Sequence, residues 1–418
     1  MINGNRRFLQ IVLCCAACTI LAVTATGSAQ AGDVTTVRAD GVTRATPPPD
    51  APVDALTAGI TDFGYALSRL TAEQSTNWVA SPLSIGYAFS MARAGAAGET
   101  AAEIDHAFGF PPAGRDDAFN AVTARVLPAD RRATVLVGNA LFTPVGEQIG
   151  AAYLHTLATQ YDAGVHTVDF SSPTAARTIN DWVRRQTAGH IRELFATVDP
   201  ATRLVLANAV YLKADWQHRF GDVTPTGPAA FTRADGHTVQ VPTMRLVTIL
   251  GYARVGDVEA VELPYRGGEL AMWVMLRTGD GAGAPTDLLT ARSLASVRAA
   301  LRPTSLGLDL PRWHVATTIE LAAPLRELGV RHAFDPATAD FTGIEPNLYV
   351  SQAVHRADIT VDEQGTTAAA ATGVGMSVTA ALAPPTVVRV DHPFVFAVVH
   401  RPTGLPLFVG QVADPAAR

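Results

Sequence analysis

The residue types that usually carry catalysis are scarce or isolated in this chain. All three cysteines, Cys14, Cys15 and Cys18, fall in one apolar run near the N-terminus. A chain processed after Ala31 would hold no thiol for nucleophilic attack, disulfide formation or zinc binding. The sequence has no Gly-x-Ser-x-Gly turn and no His-Glu-x-x-His helix, so neither a serine-hydrolase elbow nor a metallopeptidase helix is present. His355 stands alone in a strand-like run, without the paired His/Asp spacing of a metal ligand set. No metal or cofactor site is legible, and the pair Arg131-Arg132 is too small to argue for a polyanion. With a net charge of −6 and no long basic run, nucleic acid is not an expected partner.

What stands out instead is a stretch suited to being acted upon. Gly365-Thr366-Thr367-Ala368-Ala369-Ala370-Ala371-Thr372 is small and β-compatible, with no proline and no charge. Taken alone it reads as an Ala-rich linker or a short helix. It follows an apparent strand ending at Val361 and precedes Pro384-Pro385 and two more strands, a setting that favours an exposed segment able to become a strand. Alternate residues of a strand face opposite sides, so Thr366, Ala368, Ala370 and Thr372 would share one face. All four are small enough to enter a packed sheet, where a charge would be buried unpaired at a cost of several kcal/mol. Gly365 supplies a permissive backbone at the pivot.

The elements that would position this segment follow from periodicity. Helical spacing of apolar residues predicts helices over 54–70, 83–94, 99–108, 116–126, 151–160 and 175–187. The second of these is capped by Ser81 with Pro82 in its first turn and is apolar nearly all round. Strands are predicted over 135–142, 204–212, 270–276, 359–361, 394–400 and 406–412, with Pro402-Thr403-Gly404 turning between the last two. Helices early and strands late imply an α+β protein. At the N-terminus, Arg6-Arg7, the apolar run Phe8 to Val23 and Ala29-Gln30-Ala31 predict a signal peptide over 1–31. A lipid anchor at Cys18 and an uncleaved anchor are the alternatives. Residues 32–52, with Pro47-Pro48-Pro49, read as a disordered lead-in, and 53–418 as a single domain. Lys213 is the only lysine, which reads as the codon bias of a GC-rich, bacterial genome. No later segment approaches the ~20 apolar residues that span a bilayer.

Six segments together resemble the serpin family, in its order: Asn77 to Gly86 with Met91 and Gly95 to Thr100; Ile179-Asn180-Asp181-Trp182 to Ile191; Leu204 to Trp216 with Phe220; Leu308 to Pro311 running into Leu328-Gly329 and Phe334; Ala353-Val354-His355-Arg356 and Val361 to Ala371; and Asp391 to Phe394, closing with Leu407 to Gly410. The resemblance covers roughly residues 55 to 414. It implies the serpin fold, with three β-sheets, eight to nine helices and an exposed reactive-centre loop over about 364–385. It also implies a function: a monomeric suicide-substrate inhibitor that is not an enzyme, uses no cofactor, and is cut by a serine protease, held as an acyl complex and discharged by loop insertion. A non-inhibitory carrier or binding protein of the same fold is the alternative.

Site roles follow from the same resemblance. The hinge is Glu363, Gly365, Thr366, Ala368, Ala369, Ala370, Ala371 and Thr372. Counting from Glu363 puts the reactive bond at Thr379-Ala380; aligning back from Pro384 puts it at Ala381-Leu382. Met376 to Thr386 contains no Arg or Lys, so an elastase-like or subtilisin-like protease is expected, with cleavage after Leu382 by a chymotrypsin-like one as the runner-up. A polar cluster that holds the sheet shut is expected at Ser81, Ser84, Asn208 and His355. Trp216 is expected where the loop enters, and Arg245 as the ion-pair partner of Glu363. His190 and Thr367 depart from the family pattern, and Gly373 and Gly375 would weaken the later part of an inserted strand.

Overall fold

In the computed structural model of the chain, which describes residues 34–126, 133–222, 224–279, 284–366 and 386–417, the strand-like runs resolve into two hydrogen-bonded networks. The first has seven strands in the order β1 (Thr35–Val37), β4 (Val165–Val168), β3 (Ala133–Pro144), β5 (Leu204–Asp215), β13 (Gly365–Thr366), β12 (Val350–Val361) and β11 (Trp313–Glu320). The second runs β14 (Thr386–Arg389), β10 (Arg302–Pro311), β7 (Thr238–Val255), β8 (Val258–Pro264), β9 (Leu270–Arg277), β15 (Phe394–His400), β16 (Leu405–Val412), β2 (Trp78–Ala80), with β6 (Gly227–Thr232) on β7. β7 is 18 residues long and pairs with β6 from Thr238 to Thr243, with β10 from Thr243 to Tyr252 and with β8 from Gly251 to Val255. It thus joins two sheets into one network, and three sheets are present when its two halves are counted apart.

Eight α-helices lie among the described residues: α1 (Val53–Thr71), α2 (Pro82–Arg93), α3 (Gly98–Phe108), α4 (Arg115–Val126), α5 (Ala151–Tyr161), α6 (Ala175–Gln186), α7 (Ala291–Ala300) and α8 (Ala322–Glu327). The near-uniform apolarity of α2 has its reason in place: it packs on β3, β5 and β16 inside the main core. Ser81 caps it, its Oγ accepting from the Ser84 amide at 3.2 Å.

β5 reads as one continuous apolar run because both of its faces are covered. Leu204, Leu206, Val210, Leu212 and Ala214 face the main core. Val205, Ala207 and Ala209 join a second cluster with Val354 and the α6 residues Ile179, Trp182 and Val183. α6 therefore lies across the outer face of the main sheet.

The lead-in differs from expectation. Within residues 34–52, β1 adds antiparallel to β4, Ala45 N–H donates to the Thr159 carbonyl, and Arg44 donates to the Asn120 side chain at 2.7 Å. Arg38 pairs with Asp162. Low apolar content misled the composition argument: this segment is held by backbone pairing and arginine hydrogen bonds rather than by a core of its own. The signal-peptide residues 1–31 lie outside the described residues.

Candidate functional site at the seam of the main sheet

β5 and β12 are neighbours and parallel, from Leu204↔Val350 to Tyr211↔Asp358. Above that point they separate, and Gly365–Thr366 sits between them. Gly365 pairs with Asp215 and Thr366 with Ala214, antiparallel; on the other side Thr366 pairs with Val361, also antiparallel. The chain after Val361 thus turns back at Asp362 to Gln364 and starts a new strand in the seam. The Asp362 carboxylate accepts from the Gln364 amide at 2.9 Å and the Gly365 amide at 3.3 Å, which shapes that reversal.

Two features fix the entry. The first is steric: a Cβ on Gly365 would stand 2.0 Å from the Ala214 carbonyl oxygen, so only glycine allows so close a backbone approach. The second is the pocket for Thr366. This residue is fully buried, and its hydroxyl shares a 2.7 Å hydrogen bond with the Tyr265 hydroxyl. The Tyr265 ring stacks on Trp216 with centroids 4.5 Å apart. Trp216 in turn donates its indole N–H to the Asp362 carbonyl at 2.9 Å and its backbone N–H to the Gln364 carbonyl at 2.8 Å. Tyr265 had no sequence signal; it reaches the site through a single bridge between Trp216 and Tyr265.

Glu363 pairs with Arg312, not with Arg245. The Arg312 Nε lies 2.8 Å from the Glu363 carboxylate, and Thr226 donates a further hydrogen bond to it. Partial burial by itself would raise the carboxyl's pKa; the Arg312 and Thr226 hydrogen bonds outweigh it and hold Glu363 below the usual carboxylate range. Arg245 is committed elsewhere by strand register: opposite Asp309 on β10, its guanidinium lies 3.7 Å from that carboxylate and donates to the Pro225 carbonyl. Arg312 occupies the turn between β10 and β11, which brings it over the loop base.

Below the entry, the expected polar cluster assembles around one row of the sheet. Asn139 on β3, Asn208 on β5 and His355 on β12 are aligned partners. The Ser81 amide donates to His355 Nε2 at 3.1 Å, so the proton sits on Nδ1, which donates to Asn208 Oδ1. The Asn208 amide then donates to Ser84 Oγ at 2.8 Å and to Asn139 Oδ1. Ser84 Oγ donates to Asn139 Oδ1 at 2.9 Å, and Asn139 returns a bond to the Ser84 carbonyl at 3.2 Å. His355 is fully buried, and burial lowers its pKa to about 3. It is therefore neutral, as the Ser81 N–H pointing at Nε2 requires. Asn139 is the member that sequence reading missed. In sequence it is one polar residue in a strand-like run; only the strand register places it beside Asn208.

Ala368 to Thr372 and both alternatives for the reactive bond, Thr379-Ala380 and Ala381-Leu382, lie outside the described residues. Among the described residues no cluster of His, Cys, Asp or Glu could hold a metal ion.

A seam occupied at one end by the start of a strand, a closed polar row below it and a long segment between Thr366 and β14 is a specific arrangement. Residues 58–415 match the family model described as "Serpin (serine protease inhibitor)". The chain belongs to the serpin family. The serpin is 33% identical over 379 residues to the leukocyte elastase inhibitor of Bos taurus, spanning 87% of this chain and 100% of that protein. It is also 33% identical over 367 residues to an uncharacterised serpin-like protein of Thermococcus kodakarensis, 85% of each chain being covered. Among solved structures, native protease nexin-1 with heparin superposes with a TM-score of 0.78 at 26% identity, covering 87% of this serpin and all of that chain. The thermophilic serpin tengpin in its native state superposes with a TM-score of 0.81 at 24% identity, covering 91% of this chain and 100% of that one, a likeness of fold. The protein is an α+β serpin of the inhibitory kind, acting on serine proteases.

Proposed function

We propose that this serpin is an exported bacterial suicide-substrate inhibitor, monomeric and without catalytic activity of its own, aimed at elastase-like or subtilisin-like proteases. The protease serine attacks the carbonyl of the reactive bond; the peptide C–N bond breaks, the new amine leaves with a proton from the protease, and the loop remains esterified to the serine. The freed loop then continues the strand begun by Gly365–Thr366. Inserting it replaces one parallel ladder, β5 with β12, by two antiparallel ones, and parallel pairing is slightly weaker per residue. At about 1 kcal/mol net per backbone hydrogen bond, roughly ten inserted residues contribute on the order of 10 kcal/mol, comparable to a domain's whole stability. That is enough to drag the protease and deform its oxyanion hole, which stalls hydrolysis of the ester.

The observation that carries this reading is the placement of Thr366: antiparallel to both neighbours, buried, and the second residue of a run without proline or charge. Small uncharged residues at both alternatives for the reactive bond support the protease class. Arg6-Arg7, the apolar run and Ala29-Gln30-Ala31 support export, with a lipid anchor at Cys18 as the alternative.

Incubation with pancreatic elastase, subtilisin, chymotrypsin and trypsin, followed by denaturing electrophoresis, tests it. SDS-stable adducts are expected with the first two and not with trypsin, and the released peptide should begin at Ala380 or Leu382. Thr366→Arg should be cut at the same bond without forming adducts, because the guanidinium cannot enter beside Tyr265. Cleavage of the wild-type protein by every protease without an adduct would instead favour a non-inhibitory carrier.

A further inference from the structure

The foot of the seam, where β5 and β12 begin, carries charges that the loop entry does not use. Arg203 stands one residue before β5. Its backbone N–H donates to Ser351 Oγ at 2.9 Å, and Ser351 is the extra residue where the register of β12 on β5 shifts between Val350 and Gln352. The Arg203 guanidinium lies 2.9 Å from the Glu147 carboxylate and 3.5 Å from Glu345 Oε2. Glu147 follows β3, which is paired to β5 down to Phe142 and Val205. Glu345 precedes β12, on a segment held by the Gly150 N–H on the Ile344 carbonyl at 2.8 Å and by the Gly343 N–H on the Gly95 carbonyl at 3.1 Å. One arginine thus ties the start of β5 to the chain around the start of β12 by two routes, one through its backbone and one through its charge. The two acids outnumber it. The Glu345 side chain is only 14% exposed, and its Oε2 accepts no hydrogen bond among the described residues.

Among the described residues the charged groups facing Glu345 are Glu147 and Arg203, and the neighbouring segment at Gly95 offers a backbone carbonyl. Burial and the Glu147 carboxylate raise the pKa of Glu345 against the pull of Arg203. With both acids ionised, two carboxylates share one cation, and their repulsion works against the closed foot. With a proton on Glu345, that carboxyl can donate to Glu147 and the repulsion is gone. We propose that Arg203, Glu147 and Glu345 form a proton-operated clasp that sets how readily the foot of the main sheet parts for the end of the loop. This role rests on the loop-insertion mechanism proposed above. From Thr366 opposite Ala214, ten further positions of an inserted strand would bring Met376 level with Leu204 and Ser377 level with Arg203. β5 and β12 part there by giving up the Ser351 bond and the Arg203–Glu345 contact, while Arg203 keeps Glu147. The closed foot raises the pKa of Glu345, so it is stabilised as the pH falls through the raised value, and that stabilisation is lost once the pH rises above it. Acid therefore holds the foot shut and neutral pH frees it for the last part of the stroke.

The probe is a synthetic peptide with the sequence of residues 366–377, acetylated and amidated so that it carries no titratable group. It should enter the seam of the uncut protein in place of the loop. Its rate of uptake is followed from about pH 4.5 to about pH 7.5 by native electrophoresis and by the rise in melting temperature, for the wild-type protein, Glu345→Gln and Glu345→Ala. Glu345→Gln keeps a donor toward Glu147 at every pH. The wild-type protein should therefore match it in acid and exceed it by about two- to fivefold at neutral pH, the range that partly exposed charge pairs give. Glu345→Ala, with nothing to donate, should take up the peptide faster than the wild-type protein in acid. Any effect of His355 on sheet opening is common to all three proteins and cancels in the ratios. A ratio of wild type to Glu345→Gln that stays constant across the pH range, or a Glu345→Ala rate no higher than wild type in acid, would overturn the clasp while leaving loop insertion intact. No uptake by the wild-type protein at any pH would remove the insertion mechanism and the clasp together.

Discussion

Replacing one α-hydrogen of Gly365 with a methyl group would place that carbon 2.0 Å from the Ala214 carbonyl oxygen, inside any tolerable contact. Gly365→Ala must therefore push the loop base out of the seam or spread β5 from β12. Overpacking of this kind costs about 1–3 kcal/mol. A lower denaturation midpoint is expected, together with a changed emission of Trp216, whose indole donates to the Asp362 carbonyl. An unaltered midpoint and spectrum would show that the loop base is not held as described. The residues at the loop base differ in how far local sequence encodes them. Glu363, Gly365, Thr366 and Trp216 lie close in sequence to the strand ends they serve, and a motif captures them. Arg312, Tyr265 and Asn139 reach the same places through register and a turn, which no local pattern encodes. The Arg245 expectation failed for that reason: its opposite number across the ladder is Asp309.

At the scale of elements, the polar row sets a pH dependence. His355 is buried with a pKa of about 3, against about 6.5 in an unfolded chain. Between those values the unfolded state takes up a proton that the folded state refuses, so stability rises with pH across the window. The contribution is complete above about pH 6.5 and is lost as the pH falls toward 3. His166, on β4 opposite Thr36, has a pKa lowered by burial to about 4 and acts in the same sense. Chemical denaturation between pH 7.5 and 4.5 should show a loss of roughly 2–3 kcal/mol from His355, and His355→Gln should flatten the slope without abolishing it. An identical slope in both proteins would refute a neutral, buried His355. Helices were legible because their apolar residues recur on one face, and β5 because both its faces are covered. β7 and β10 escaped notice because one face carries Arg, Thr, Ser and exposed valine, and Pro242, Pro303 and Pro311 interrupt the pattern. α7, with only Leu294 and Val297 buried, offers too narrow a stripe.

For the molecule as a whole, the observed register can be extended. From Thr366 opposite Ala214 and Val361, six further positions bring Thr372 level with Asn208 and His355. Its hydroxyl would then stand where those two side chains now bond to each other, able to accept from one and donate to the other. Cleavage in the loop should raise the melting temperature markedly, as insertion completes the sheet. Thr372→Val should diminish that gain by about 1–3 kcal/mol, because two buried polar groups would lose their partner. If the nicked protein melts where the intact one does, no stored energy is released.

α6 bears on how that energy is delivered. It packs on β3 and β4 and shares one apolar cluster with Val205, Ala207 and Ala209 of β5 and Val354 of β12, the two strands that must part. An advancing strand would come level with Ala209, five positions below Ala214, and so enter that cluster, which would have to yield before the stroke could finish. The slow point of the transit would then come midway, with the protease already displaced from its docking position yet still able to let water in. Whether the protein behaves as a trap or as a meal would be decided there, by how tightly Ile179, Trp182 and Val183 grip the sheet.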